Sequence, residues 1–130
     1  MQPTSQSTAA VQPAVSYPEI VGSVIKQLRI LCQLDQAKLA SAVGVAQPTW
    51  SRVENGAIPI TVEQLGVIAP VLGVQPSEIL RRADLAAVQF AEQGIQVTPR
   101  RSNPSGIDDD GRAFLKGAAV VALLAAIFSK

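Results

Sequence analysis

Apolar positions recur at helical spacing five times between residues 18 and 93, with turn-forming residues between the runs. Val21, Val24, Ile25, Leu28 and Leu31 form the first stripe, and Pro18 and Glu19 stand where a helix N-terminus favours proline and acid. A second, short helix is predicted from Asp35, whose carboxylate can accept from the free amides of the first turn. Leu39, Ala40 and Val43 supply its inner face, and Gly44 ends it in a left-handed cap. The third begins at Gln47-Pro48, where proline sacrifices no helical hydrogen bond. Trp50 and Val53 point inward from it as core residues, and Asn55-Gly56 stops it. Thr61 and Gln64 make a capping box for a fourth helix, which turns Leu65, Ile68 and Leu72 inward and is bent or shortened by Pro70. Gln75-Pro76 starts a fifth through Ile79, Leu80 and Ala83. Its pattern continues past Ala87 and Phe90 to Gln93, with Gly94 as the stop.

Five short helices with tight connections predict an all-α domain over residues 18–84. Residues 1–17, a Gln/Ser/Thr/Pro/Ala mixture for most of their length, are expected to form a disordered arm. Residues 85–112 read as a helix extension followed by a flexible linker containing Arg100-Arg101 and Asp108-Asp109-Asp110. Residues 113–130 form an apolar helix interrupted by Lys116. Three readings of it stay open: a membrane anchor over residues 113–129, a helix pairing with another copy, or a helix docking on this domain. Its apolar run is shorter than the roughly twenty residues a comfortable span needs, although Lys116 and Lys130 could snorkel. The lack of a polar face favours membrane association.

Composition narrows the chemistry. Eleven basic residues against ten acidic ones leave a net charge of +1, so no global field drives the chain onto nucleic acid. The absence of histidine removes the commonest general base and metal ligand. The single cysteine, Cys32, permits no internal disulfide, suits a reducing compartment, and is expected as a buried structural thiol. The N-terminus lacks the pattern of a secretory signal. No nucleophile–base set, phosphate-cradling glycine loop or metal-ligand spacing is present, so neither an enzyme nor a cofactor or metal site is expected.

The informative stretch runs from Leu34 to Gly56. Two short helices joined by a tight glycine-containing turn form a helix-turn-helix unit, whose second helix can enter the major groove of DNA. The outward positions of that second helix are Gln47, Pro48, Thr49, Ser51 and Arg52. Glutamine suits adenine N6 and N7, and arginine suits guanine O6 and N7.

The Gln-x-x-Leu-Ala run at Gln36–Ala40, Gly44-Val45, and Ser-Arg-Val-Glu-Asn-Gly at Ser51–Gly56 together resemble the Cro/C1-type (XRE) helix-turn-helix family. The resemblance covers roughly residues 20–80 and implies a five-helix, lambda-repressor-like fold. It implies that Gln36 clamps a phosphate, that Gln47, Pro48, Thr49 and Arg52 face base edges, and that Asn55 approaches the DNA backbone. It further implies a structural ion pair between Arg29 and Glu54, double-stranded DNA as partner, homodimers on inverted repeats, and a cytoplasmic regulator of transcription, tethered to the inner membrane if the last helix spans it. Ala46 departs from the usual capping residue, and Pro48 can offer a base only apolar contact. A membrane-tethered protein-interaction module and an antitoxin-type regulator are the alternatives.

Overall fold

A computed structural model describes residues 12–100, 112–115 and 117–128 of the 130. The five expected helices are α1 (Tyr17–Leu31), α2 (Gln36–Val43), α3 (Gln47–Glu54), α4 (Val62–Val71) and α5 (Pro76–Glu92). Their starts follow the local chemistry. Ser16 caps α1, its hydroxyl accepting from the Glu19 amide while the Glu19 carboxylate accepts from the Ser16 amide. Asp35 Oδ1 accepts from the Lys38 amide at 2.9 Å to begin α2. Thr61 and Gln64 exchange the same reciprocal bonds at the start of α4. Gly44 closes α2 at φ 79°, with the Val45 amide reaching back to Ala40. Pro70 sits one residue from the end of α4, which stops after ten residues.

The middle of α1 is enclosed: Ile20, Val21, Val24 and Ile25 meet Leu39, Trp50, Val53, Ile68, Ile79 and Phe90 in one core. Three side chains expected inside lie elsewhere. Leu31, the last residue of α1, is 70% exposed, although Leu28 and Arg29 of the same turn are buried. Cys32, in the following cap position, is exposed rather than buried, its thiol 3.6 Å from the Leu72 carbonyl. Leu80 is partly exposed at the side of α5, while Ile79 and Ala83 carry the contact.

Two larger differences concern the ends of the chain. Residues 12–16, placed in the disordered arm by the sequence, form strand β1 (Gln12–Ser16). This strand is the centre of a three-stranded parallel sheet, between β2 (Gln96–Thr98) and β3 (Arg112–Phe114). Ala14, Val15 and Ser16 are buried there, so the fold adds a small sheet to its helices and the unit extends beyond residues 18–84. Residues 1–11, the rest of the expected arm, lie outside the described residues. So do residues 101–111, the part of the expected linker with Arg101 and the aspartates. The C-terminal apolar segment forms α6 (Gly117–Phe128), which packs chiefly on α1 and also touches α5. Val120 and Leu124 are fully buried in that contact, and Arg82 lies over the Phe128 ring at 5.9 Å. Of the three readings of this segment, the structure therefore takes docking on the domain, the one least favoured by the sequence. Twelve residues reach about 18 Å, well short of the ~30 Å hydrocarbon core. Among the described residues, no helix is long and apolar enough to cross a membrane.

Candidate nucleic-acid interface

At 3.6 residues per turn, α3 divides into two faces. Trp50, Val53 and Glu54 are buried. The opposite side carries Gln47, Pro48 and Arg52, all exposed, with Thr49 and Ser51 half-buried at its margins and Asn55 exposed at its end. Every residue that the sequence put forward as a base reader thus lies on one surface. Arg52 is the charge of that surface, because the one acid of α3, Glu54, turns inward.

Glu54 is 1% exposed and still fully partnered. Arg29, itself 8% exposed, donates from Nε to Glu54 Oε2 at 2.8 Å and from Nη2 to Oε1 at 3.1 Å. This is the side-by-side fork that suits guanidinium and carboxylate. The expected ion pair between Arg29 and Glu54 is present. Two bonds that the sequence reading missed complete the carboxylate: Trp50 Nε1 donates to Oε2 at 2.8 Å, and Gln36 Nε2 donates to Oε1 at 3.0 Å. The third guanidinium nitrogen, Nη1, donates to the Leu34 carbonyl at 2.9 Å and fixes the turn between α1 and α2, where Gln33 takes φ 60°. One buried carboxylate thus joins α1, α2 and α3. The i, i+4 spacing of Trp50 and Glu54 is the sequence signal that could have revealed the indole bond.

This network orients the outward surface of α3. Gln36 spends one amide hydrogen on Glu54, which turns its Oε1 outward, and Gln47 Nε2 lies 3.5 Å from that oxygen. Gln36 keeps its second N–H, and Gln47 keeps one N–H and its carbonyl. Ala46 makes no side-chain cap on α3, as its chemistry requires.

Close backbone packing holds the end of α3. A Cβ at Gly22 would stand 2.4 Å from the Glu54 carbonyl oxygen and 2.6 Å from that of Val53, so only glycine lets α1 come this near. Gly56, at φ 78°, leaves no room for a side chain either, because Glu19 Cα lies 2.5 Å from where its Cβ would be. Neither contact is visible in the hydrophobic pattern.

Comparison with known proteins agrees with this architecture. Residues 20–83 match the family model described as a helix-turn-helix domain. No curated protein matches the chain. Among solved structures, the clp gene regulator ClgR from Corynebacterium glutamicum is similar with a TM-score of 0.55 at 24% identity, over 59% of this chain and 83% of that one. At that identity the likeness concerns the fold. The family match, the Gly44 turn between α2 and α3 and the partition of α3 into a buried and a polar face converge: residues 20–83 of this chain form a helix-turn-helix domain.

Proposed function

We propose that the chain is a sequence-specific DNA-binding regulator of transcription that reads the major groove with α3. The observation that carries the reading is the outward face of α3, whose amide, hydroxyl and guanidinium groups rest on a helix fixed from beneath by Glu54. The regulator named in the similar crystal structure supports the same reading by fold. Gln47, with one N–H and its carbonyl uncommitted, has the donor–acceptor pair that adenine N6 and N7 require, and Arg52 suits guanine. Pro48 offers a thymine methyl an apolar contact. Thr49 and Ser51 flank these readers, Asn55 faces the sugar–phosphate backbone, and the remaining N–H of Gln36 takes a phosphate. The reading assigns no catalysis and no cofactor. It places the protein with the DNA in the cytoplasm, as a homodimer on an inverted repeat. The membrane tether loses its motive, because Val120 and Leu124 of α6 face α1.

Gel shifts against fragments of the source genome test this directly. Binding should weaken steeply with salt, reflecting phosphate contacts. Arg52→Ala and Gln47→Ala should each cost about 1–3 kcal/mol against the preferred site and relax preference at one base pair. If both variants keep the wild-type base preference, the contact assignment is wrong. If the wild type prefers no fragment, the reading itself fails.

A further inference from the structure

Helix α1 touches the end of α3 backbone to backbone, at two places. A Cβ on Gly22 would meet the Glu54 and Val53 carbonyl oxygens at 2.4 and 2.6 Å, and one on Gly56 would meet Glu19 Cα at 2.5 Å. Side chains between two helices absorb a shift by repacking. Contacts between backbones have no such slack, so a displacement of α1 is passed on to α3.

The C-terminal part of the chain grips the same helix from other directions. β3 pairs with β1, Phe114 opposite Ala14, and the Leu115 amide donates to the Ala14 carbonyl at 2.8 Å. β1 ends at Ser16, whose hydroxyl caps α1 by accepting from the Glu19 amide. Glu19 is the residue packed against Gly56. α6 then buries Val120 and Leu124 completely where it lies on α1 and α5. Its last residue is held as well: Arg82 lies 5.9 Å from the centre of the Phe128 ring and donates to Glu78 at 2.8 Å. Two fully buried apolar side chains and one cation–π contact are few enough for α6 to open locally without unfolding the core.

α6 has nothing of its own to offer DNA. From Gly117 to Phe128 it carries no charge and no hydrogen-bonding side chain. Its influence on a DNA-binding face therefore has to pass through α1. We propose that β3 and α6 together are a positioning element for α3. Docked, they hold α1 against the turn that ends α3 and fix the Asn55 end of that helix. Undocked, they free α1, and the chain loses affinity for DNA. The inference rests on the DNA-binding reading for its consequence, although not for the coupling itself.

The test uses the full chain carrying Leu124→Asp, which places a charge inside the α6 contact. Leu124→Met keeps the volume, and Leu85→Asp puts the same charge on α5 at a side chain already 45% exposed. Each is titrated with the preferred duplex by fluorescence anisotropy, at a temperature where circular dichroism shows it fully folded, so that unfolded chain cannot account for weaker binding. Should Leu124→Asp fail to fold, Leu124→Ala takes its place with a smaller change in the same direction. Leu124→Asp should bind at least about tenfold more weakly, within the range coupled sites show, with base preference and salt dependence unchanged. Leu124→Met and Leu85→Asp should bind as wild type does. Hydrogen exchange gives a readout that needs no DNA: amides of residues 47–56 should exchange faster in Leu124→Asp. Because coupling is reciprocal, the duplex should also slow exchange over residues 117–128 of the wild type. Affinity or α3 exchange at wild-type values, in a variant whose α6 amides exchange freely, overturns the proposal. So does an equal loss in Leu85→Asp, or an α6 that stays protected in Leu124→Asp. Faster exchange over residues 47–56 in a protein that binds no DNA would uphold the coupling and retire the DNA-binding reading instead.

Discussion

Replacing Glu54 by alanine removes the acceptor of four hydrogen bonds at once and leaves Arg29 as a guanidinium 8% exposed with no counter-charge. Stripping one partner from a buried ion pair costs about 3–5 kcal/mol, and an orphaned indole N–H about 1–3 kcal/mol more. The Leu34 carbonyl still engages Nη1, which moderates the first figure. A loss of about 4–6 kcal/mol is expected. Set against the ~5–15 kcal/mol that holds a small domain together, it would leave the variant partly unfolded at 37 °C. Urea titration followed by tryptophan fluorescence measures this directly, since Trp50 is the only tryptophan and donates to the deleted carboxylate. The double variant Arg29→Met with Glu54→Leu should recover most of the loss, because apolar side chains of similar volume replace a buried ion pair with little penalty. It should not recover DNA affinity, since Gln36 would still lack its anchor. A loss below about 1 kcal/mol for Glu54→Ala, or a double variant no more stable than the single one, would refute the view that this carboxylate organises the three helices.

Four further outcomes follow from the same geometry. Gly22→Ala should destabilise by about 1–3 kcal/mol in thermal unfolding, because the contacts at 2.4 and 2.6 Å are with backbone oxygens that cannot rotate away. Gly56→Ala should cost at least as much, combining a positive φ with the clash against Glu19, whereas Gly44→Ala, at similar φ with open space around it, should cost less. Tyr17 is the only tyrosine, and burial together with the Asp84 carboxylate pushes its phenol up to about 12 from 10.0. Its raised value stabilises the fold below pH 10, and that contribution disappears as pH climbs from 10 through 12. Absorbance titration near 295 nm should show the late midpoint in the wild type and an earlier one in Asp84→Ala. Truncation after residue 100 removes α6 and strand β3 and uncovers the α1 surface beneath Val120 and Leu124. A drop of about 3 kcal/mol or more in unfolding free energy is expected, and a truncated chain as stable as the whole would show that α6 contributes nothing.

The division between what could and could not be read from the chain follows the range of the interactions. Gly44, Asp35 and the Thr61–Gln64 pair announce themselves because each acts within four residues, and the amphipathic stripes of α1 to α5 repeat within a turn. The three-stranded sheet joins Ala14 to Gln96 and to Phe114 across some eighty and a hundred residues, and a five-residue strand with proline at its second position gives no local sign of either partner. Ser16 illustrates the consequence: counted into an unstructured arm, it could not be recognised as the cap of α1. The last helix misleads for a different reason. Its outer positions, Ala119, Ala122, Ala125 and Ala126, are apolar by type yet small enough to face water at little cost, so a helix without a polar face still has a buried side and an exposed one.

The proposed DNA-reading face shows the same limit at closer quarters. Its residues were legible as types at helical spacing, and all of them do lie on one side of α3. What sets their orientation was legible only in part: the family resemblance implied the Arg29–Glu54 pair, but nothing local announced the bonds from Trp50 and Gln36 that complete the carboxylate. Once Arg29, Trp50 and Gln36 are seen to converge on it, Glu54 becomes the point through which the core acts on the reading surface. Substitution there should therefore change affinity for DNA even though the carboxylate faces no base. The same reasoning explains why glycine at 22 matters to a helix it does not belong to: it admits α1 to the backbone of Val53 and Glu54, and that approach holds the carboxylate where Arg29 can grip it with two hydrogen bonds.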